Sequence, residues 1–280
     1  MSIITVDNFD AKNVVLSVEN KKLVYSNDSY QFKKLYPKYK YPNGNEEDIY
    51  IQIPEVFSYG LKSFSNTTGE TAHSFSFSIN VKPNAEENIS PEDAETTTKK
   101  LIEIFIDIEN NIKQFLKNSN TMKKLGKKNI GGWEAFVENI KPVFNYQTDK
   151  ETGERIEGAQ PTLFVKLKTE IGKKNPAVKT IFHIYNPRIQ RIEEVAPQDA
   201  IAKLQNKRCT ATGVVHIESI FVPKTNNISI QYKLHEVLIT EISKTDVSRL
   251  KFPSRLNKTV TGGIQNLNLS ESSAEESDQE

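Results

Sequence analysis

The chain has 280 residues, of which 36% are hydrophobic and 26% charged; this composition is typical of globular proteins and excludes a wholly disordered chain. A single cysteine, Cys209, excludes an internal disulfide framework and indicates a reducing compartment. The N-terminus lacks the features of a signal peptide, and no apolar run approaches the roughly 18 residues of a membrane span. We therefore expect a soluble, intracellular protein without a membrane partner.

Predicted strands dominate the first 90 residues. The stretch 32–44, FKKLYPKYKYPNG, contains two prolines that disfavour a helix, so it predicts an extended segment at a sheet edge. Residues 49–61 predict a second strand, in which Pro54 requires a sheet edge or a strand end. Residues 74–81 alternate strictly between apolar and polar side chains, which is typical of a strand buried on one face.

A long helix is predicted to begin after Ser90. Ser90 can cap it, Pro91 suits its first turn, and apolar residues then recur at three- and four-residue steps as far as Phe115. The polar sequence that follows predicts the end of the helix, and Gly-Gly-Trp at 131–133 predicts a turn. We interpret residues from about 90 to 128 as a helical insertion.

The second half of the chain predicts more strands and one short helix. Residues 162–170 alternate again, with Phe164, Lys166 and Lys168 on the face opposite the aliphatic side chains. The remaining predictions are a strand at 179–185, a helix at 197–207 opened by Pro197, and a hairpin of strands 213–222 and 228–239 with Asn226-Asn227 near its tip. The pattern predicts one β-rich α+β domain over residues 1–259.

The near-neutral net charge of +1 conceals two regions of opposite charge. The last ten residues hold five acids and no base, whereas residues 1–270 hold 37 basic and 31 acidic residues, a net charge of +6. Residues 260–280 lack hydrophobic periodicity, so we expect a disordered acidic tail. Two roles stay open for this tail, namely occupation of a basic groove together with docking of other proteins, or simple solubility.

Motifs that support catalysis are missing from the sequence. The four histidines are scattered, and the three residues His-Ile-Glu at 216–218 match a deaminase signature that one cysteine cannot complete. Neither a phosphate-binding loop nor a nucleophile elbow occurs. Cys209 has no matched base nearby in the sequence. We expect a protein that is not an enzyme and needs no metal or other cofactor.

Basic and aromatic residues alternate in several predicted strands, and this combination is what sequence-tolerant binding of single strands requires. Cations hold phosphates, while aromatic rings stack on unpaired bases at about 1–3 kcal/mol each. Any one segment could instead be half-buried scaffold. The candidate DNA-binding residues are Lys33, Lys34, Tyr36, Lys38, Tyr39, Lys40, Tyr41, Trp133, Lys166, Lys168, Arg188, Arg191, Tyr232 and Lys233. The tyrosines and the tryptophan are the candidate stacking residues.

Several of these segments resemble a family of single-stranded DNA-binding proteins of nucleocytoplasmic large DNA viruses, which includes an African swine fever virus protein and giant-virus relatives. The resemblance covers most of residues 40–240, and Gln52 and Pro54 match the family's Gln-x-Pro element, in which Ile53 replaces the usual Thr. The segments that carry it are YIQIPEVFSYGL (50–61), GAQPTLFVKLK (158–168), HIYNPRIQRI (183–192) and VVHIESIFVPKTNNISIQYKLHEVLI (214–239). The resemblance implies an OB-fold-like β-barrel core, an oligonucleotide-binding fold, with insertions.

From these observations we expect sequence-independent binding of single-stranded DNA in viral DNA replication, recombination or repair. The expected location is the viral replication site in the host cytoplasm, with packaging into the virion left open. RNA as a ligand, homo-oligomerisation, and contacts of the acidic tail with other replication proteins also stay open. The alternative is a structural or scaffolding virion protein whose basic and aromatic face binds another protein. The salt dependence of binding separates the two, because phosphate contacts weaken steeply with salt.

Overall fold

The computed structural model describes residues 2–17, 32–65, 71–84, 88–125, 130–170, 177–223 and 228–246. The predicted acidic tail and the predicted hairpin tip at Asn226-Asn227 lie outside these ranges. Within them, no helix is both long enough and apolar enough to cross a membrane.

The described residues form thirteen strands, four α-helices and two 3-10 turns. The strands are β1 (Ile3–Ile4), β2 (Val14–Ser17), β3 (Phe32–Lys40), β4 (Glu46–Asp48), β5 (Tyr50–Ser58), β6 (Leu61–Ser65), β7 (Thr71–Ser78), β8 (Phe144–Asn145), β9 (Thr162–Leu167), β10 (Ile181–Asn186), β11 (Arg191–Val195), β12 (Lys207–Pro223) and β13 (Ser229–Asp246). The helices are α1 (Pro91–Lys117), α2 (Ser119–Lys124), α3 (Ile130–Glu138) and α4 (Pro197–Leu204), and the 3-10 turns are Val6–Asn8 and Ala11–Asn13.

A mixed sheet with a long central hairpin organises the fold. The main path of hydrogen-bonded strands runs β1-β5-β12-β13-β9-β7-β6, so the predicted β-rich α+β class is confirmed. The predicted closed barrel is not what the described strands form, because this path ends at β1 on one side and β6 on the other. One isolated bridge, Val56 to Val81, is the contact that links β5 to the segment after β7.

The predicted hairpin of the last two strands is confirmed as β12 and β13, which pair antiparallel from Lys207–Asp246 to Phe221–Ser229. On its other edge, β13 pairs in parallel first with β9, at Lys233 and Leu234, and then with β10, from Glu236 to Ile239. β9 and β10 therefore lie end to end along one edge of β13. β10 continues into the antiparallel strand β11, which has no further strand partner among the described residues.

Pro54 lies inside β5, at a position that β1 does not pair, so of the two predicted alternatives, a sheet edge or a strand end, the structure shows the edge. Two features explain why a proline is tolerated there. On one side of β5, β1 covers only Tyr50 and Ile51 and the next contact is the Val56–Val81 bridge, so Pro54 lies in an unpaired part of that edge. On the other side, the β12 register shifts between Ala211 and Gly213 opposite this point. A missing amide N–H is least costly at an edge or a bulge.

The predicted start of the long helix is confirmed, because the Ser90 hydroxyl accepts a hydrogen bond from the Asp93 backbone N–H at 3.1 Å. The predicted turn at Gly-Gly-Trp is wrong, since these residues belong to α3. Trp133 explains the difference: its ring is buried and its indole Nε1 donates to the Leu116 carbonyl oxygen at 2.8 Å. This contact ties α3 to the end of α1, and tertiary packing outweighs the low helix propensity of two glycines.

Candidate nucleic-acid interface

The alternation in β9 determines one face of the sheet. Leu163, Val165 and Leu167 are buried in the core, so Phe164 and Lys166 project from the opposite side, and this prediction from the sequence is confirmed. The neighbouring strands carry the row across the sheet. Lys166 lies beside Lys233 of β13, Lys233 beside His216 of β12, His216 beside Tyr50 of β5, and on the other side Lys166 lies beside Ser74 of β7.

Five lysines lie in or near this row, and we refer to them as the basic face: Lys34, Lys141, Lys166, Lys168 and Lys233. They come from β3, the loop after α3, β9, the residue that follows β9, and β13. No two of these segments are consecutive strands of one hairpin. The sheet therefore brings together lysines that are far apart in the sequence, and it forms a positive surface that the order of charges along the chain does not reveal.

Partial burial and mutual repulsion act together on two of these lysines. Partial burial lowers the pKa of Lys166, Lys141 lowers it further, and Glu218 opposes both effects. Partial burial also lowers the pKa of Lys233; Glu218 raises it, while Lys166 and Lys34 lower it. A bound anion would relieve this repulsion and stabilise the charged form of each lysine. The basic face thus has the electrostatic character of a site for anions such as phosphate.

Phe164 forms the shared wall of two adjoining cavities, which we call the Phe164 groove. The first has a volume of about 440 Å³ and is lined by Phe64, Lys141, Lys166 and Gln231 among others. The second has a volume of about 480 Å³ and is lined by Tyr59, Lys62, Tyr146 and Gln160 among others. The groove thus joins the basic face at Lys141 and Lys166 and adds several aromatic side chains to it.

The ring of Phe164 has cations close by and little bulk beside it. The Lys62 ammonium lies 5.9 Å from the ring centroid, and Lys166 follows two positions later on the same face of β9. The β7 residues next to Phe164 and Lys166 are Ser76 and Ser74, which have small side chains. Phe64, at the rim, is 42% exposed. These aromatic residues can receive a flat ligand between cations.

Hydrogen bonds and ion pairs occupy some of the positive groups already. Lys166 Nζ donates to Gln231 Oε1 at 3.2 Å, and Lys38 Nζ lies 2.6 Å from Asp48 Oδ1. Although burial acts to raise the pKa of Asp48, the hydrogen bond and the charge of Lys38 hold it below its usual value. Lys40 lies opposite Glu46 in the same β3–β4 pairing. The acids of β4 therefore neutralise part of the charge of β3.

The predicted stacking residues Tyr39, Trp133 and Tyr232 are all buried in the core, so their assignment is corrected. Tyr39 packs at 5.4 Å from Phe9, and its hydroxyl accepts from the Asp10 backbone N–H at 3.2 Å. Trp133 is held by its contact with α1. Burial strongly raises the pKa of Tyr232, whose ring lies 5.7 Å from that of a core phenylalanine. These three rings thus serve mainly as core residues, and Tyr232 in addition lines the first cavity of the Phe164 groove.

The other predicted residues fall into three places. One side of β3 carries Lys34, Tyr36, Lys38 and Lys40, and the other side carries Lys33 and Tyr39. Tyr41 follows β3 and is half-buried, with its ring centroid 5.0 Å from that of Tyr39. Lys166, Lys168 and Lys233 come together on the basic face. Arg188 and Arg191 are exposed at the β10–β11 hairpin.

A neutral aromatic cluster adjoins the basic face. The rings of Tyr50 and His216 are stacked with centroids 4.5 Å apart, and His235 meets Tyr50 edge-on at 5.0 Å. Burial lowers the pKa of His216 to about 4; Asp48 and Glu218 raise it, while Lys168 and His235 lower it further. His216 is therefore uncharged near pH 7. The described residues contain no group of three or more side chains that could hold a metal ion.

Sequence reasoning missed Lys62, Phe64, Lys141 and Tyr146. One signal for the first two was present, because LKSFS combines a base with an aromatic residue, as the recognised segments do, and pairs with the serine-rich β7. Lys141 and Tyr146 lie in irregular segments around β8, where periodicity gives no information. Tyr146 stacks under Arg155, whose guanidinium carbon lies 3.5 Å from the ring centroid. Only the tertiary fold brings these residues to the groove.

The family model described as "Protein of unknown function (DUF2738)" matches residues 16–280, and the chain belongs to this family. No curated protein matches the chain at a significant level. Among solved structures, the chain is similar to the single-stranded DNA-binding protein from bacteriophage Enc34 in a C-terminal truncation, with 15% identity over 84% of this chain and 98% of that chain and a TM-score of 0.36. The same phage protein in complex with single-stranded DNA has 14% identity over 81% and 99% of the two chains, and a TM-score of 0.36. TM-scores below 0.5 do not establish a shared fold, so the function has to follow from this chain's own residues.

Proposed function

We propose that the chain binds single-stranded DNA along the basic face and the Phe164 groove, independently of sequence and without catalysing a reaction. The observation that carries the proposal is the position of Phe164, a half-buried ring that lines both cavities, with Lys62 in one cavity and Lys166 in the other. Rings stack on any unpaired base, and ammonium groups hold any phosphate, so this combination recognises the strand rather than its sequence.

The arrangement favours an unpaired strand over a duplex. A base can stack on Phe164 or Phe64 only when its face is free, which in a duplex would require unstacking. The cations line both cavities of the groove, with Lys141 and Lys166 in one and Lys62 in the other. A strand that follows the groove can therefore place phosphates near cations on both sides of a stacked base.

We place this activity in viral DNA replication, recombination or repair, at replication sites in the host cytoplasm. The support for this part is the resemblance of residues 40–240 to the large DNA virus family. Single-stranded DNA is exposed in all three processes, and a protein that holds it needs no active site. The acidic tail would occupy the basic face when DNA is absent and would dock other replication proteins.

The proposal is tested by titrating the protein against fluorescent single- and double-stranded oligonucleotides of equal length at several salt concentrations. We expect tighter binding of the single strand and a linear fall of log affinity with log salt. Phe64→Ala should weaken single-strand binding by about 1–3 kcal/mol if its ring stacks on a base. Ile106→Ala is the matched control, because Ile106 has a similar exposure, 41%, and lies on α1.

Two results would overturn the proposal. Equal affinities for single strand and duplex would reduce it to nonspecific binding of polyanions. Binding that ignores salt, or no binding to either oligonucleotide, would instead favour the scaffolding role, in which the same face contacts another protein. RNA of the same length and sequence, titrated in parallel, determines whether the 2′-hydroxyl affects affinity.

A further inference from the structure

The β10–β11 hairpin carries an exposed apolar surface that the proposed DNA site does not use. Of the described large hydrophobic side chains, Ile192 is the most exposed at 57% and Ile189 follows at 52%. Tyr185, directly opposite Ile192 in the hairpin, is also exposed. The other side of the hairpin is anchored, because Phe182 is buried and Val195 packs against the core. The surface is thus held in place and not covered by described residues.

β11 is also a free sheet edge. It pairs with β10 from Arg191 to Val195, and no other described strand pairs with it. Such an edge presents backbone N–H and C=O groups that can pair with another strand, and exposed hydrophobic edges are typical sites of association. Proteins often protect such edges with charged side chains. The charges of β11, RIEEV, are of both signs, with a base on one side of an isoleucine and acids on the other, so a second copy of the strand can complement them.

We propose that two copies of the chain associate by antiparallel pairing of their β11 strands across a twofold axis at Ile192. In this register Ile192 faces Ile192 of the second copy. Arg191 then faces Glu193 of the second copy, and the twofold axis generates this pair twice. Opposite charges directly across antiparallel strands stabilise the pairing, as do apolar pairs. One carboxylate oxygen of Glu193 already accepts a hydrogen bond from Asn186 of β10 at 3.2 Å, and the other oxygen can accept from Arg191 of the second copy.

Neighbouring registers are less favourable. A shift of one position places Ile192 opposite Glu193, and a twofold axis at Glu193 places two glutamates opposite each other. The register at Ile192 also extends the apolar row. Ile192 then lies between Tyr185 of its own chain and Ile192 of the second copy. Each copy has one such edge, so the contact is isologous and closes at a dimer.

Nucleic acid is the other conceivable occupant of this hairpin, since Arg188 and Arg191 are exposed there. Glu193 and Glu194 on the same strand argue against it, because carboxylates at this edge repel phosphates. The mixture of charges matches a second copy of β11 better than it matches a polyanion. The two occupants give different results in the experiments that follow.

Sedimentation equilibrium of the whole chain without DNA tests the pairing, with circular dichroism as the check of folding. We expect a monomer–dimer equilibrium for the wild type. Arg191→Glu and Glu193→Arg each place like charges across the axis, so each should weaken the dimer by roughly tenfold or more. The double variant R191E/E193R restores opposite charges and should restore dimerisation. This rescue would not occur if either residue acted through folding alone.

A cysteine at the axis tests the register itself. Ile192→Cys should form a disulfide-linked dimer when diamide oxidises the two thiols, because directly opposed Cβ atoms lie about 4.5–5.5 Å apart. Glu194→Cys is the matched control, since in this register the two Glu194 positions are about 13 Å apart. The native Cys209 should not interfere, because it is buried and burial raises the pKa of its thiol to about 11.

A wild type that stays monomeric at all concentrations would overturn the proposal. A dimer that survives Arg191→Glu, together with an Ile192→Cys variant that does not crosslink, would overturn it as well, because another surface would then hold the two copies. If Arg191→Glu left the sedimentation unchanged and weakened only DNA binding, the hairpin would belong to the DNA site. Sedimentation and disulfide crosslinking both measure dimerisation without DNA, so either proposal can fail alone.

Discussion

β3 and β9 both alternate basic and aromatic residues, yet the fold uses them in opposite ways. In β9 the aliphatic residues enter the core, so Phe164 remains with Lys166 on the outside. In β3 the core takes Leu35 and Tyr39. The opposite side carries Lys34, Lys38 and Lys40 together with the half-buried Tyr36. Alternation therefore shows which residues share a face of a strand. It does not show which of two candidate faces the core will bury.

The different outcomes have a physical cause in the competition for burial. β9 contains leucine and valine, which bury without any polar atom, and leaves its aromatic residue half-buried. β3 has a single aliphatic residue, so Tyr39 supplies much of its apolar area, and its hydroxyl finds two donors in the 3-10 turn region, Asp10 and Asn13, both at 3.2 Å. A buried tyrosine with satisfied hydrogen bonding is a stable core residue.

The largest effect that tests this comparison is expected at Tyr39. Tyr39→Ala should lower the free energy of unfolding by about 3–5 kcal/mol, because it leaves a cavity beside Phe9 and Tyr41. The affinity of the remaining folded protein for single-stranded DNA should not change. Tyr39→Phe keeps the ring and should cost about 1 kcal/mol, because it removes the hydroxyl and its hydrogen bonds. Chemical denaturation gives the stability, and titration of the folded protein gives the affinity.

The second prediction compares the lysines of the two regions. Replacing Lys166 and Lys233 together by Gln should flatten the dependence of log affinity on log salt by about 0.7 for each phosphate that the protein no longer neutralises. Lys38→Gln should have a smaller effect, because Asp48 already pairs with Lys38 at 2.6 Å. If Lys38→Gln changed the slope by half as much as the double variant, the effect per lysine would be equal, and the β4 acids would not separate β3 from the basic face.

The third prediction concerns the pH dependence of stability at the aromatic cluster. The pKa of His216 is lowered to about 4 in the fold from an ordinary value of 6.5, so the unfolded chain binds a proton that the fold excludes. Stability should therefore fall as the pH drops from about 6.5 to 4. His216→Gln removes this contribution, so its melting temperature should fall less than that of the wild type over this window. An identical fall in both proteins would contradict the lowered pKa of His216. The charged neighbours of His216 are retained in both proteins and would then account for the fall: Asp48, Lys168, Glu218 and His235.

The smallest effect is expected from the acidic tail. Removal of residues 271–280 deletes five acids and no base. If the tail competes for the basic face, DNA binding should tighten at low salt and converge with that of the full chain at high salt, where charges are screened. Replacing the five acids by Gln and Asn in the full-length chain is the control for a change in length. Unchanged affinity at low salt would leave only the solubility role.

Several parts of the fold follow from local sequence, and others depend on packing at a distance. The α1 cap at Ser90, the alternation of β9 and the pairing of β12 with β13 are local or adjacent patterns, and all three predictions are confirmed. The two glycines before Trp133 predict a turn, but the indole ring has its partner at the end of α1, which local sequence does not show. The described strands do not close the predicted barrel, and local sequence could not show this, since closure depends on the pairing of strand edges far apart in the chain.

The candidate site shows the same division. Lys166, Lys168 and Lys233 could be found because each lies on the polar side of an alternating strand. Lys141 could not be found, because it lies in an irregular segment after a helix and only the fold brings it to the first cavity. The stacking residue could be chosen only by knowing which aromatic residues are buried in the core, and Tyr232 illustrates this. It alternates with Lys233 in β13, and its burial against Phe105 is visible only in the fold.

The most direct test of the central claim, that Phe164 stacks on an unpaired base between cations, measures affinity and stability together on Phe164→Leu. Leucine keeps most of the packing volume but removes the aromatic ring. We predict that affinity for single-stranded DNA falls by about 1–3 kcal/mol, with an unchanged salt slope and little change in the melting temperature. A lower melting temperature with the affinity of the folded protein intact would contradict the claim, and would assign Phe164 to the scaffold, as the structure does for Tyr39.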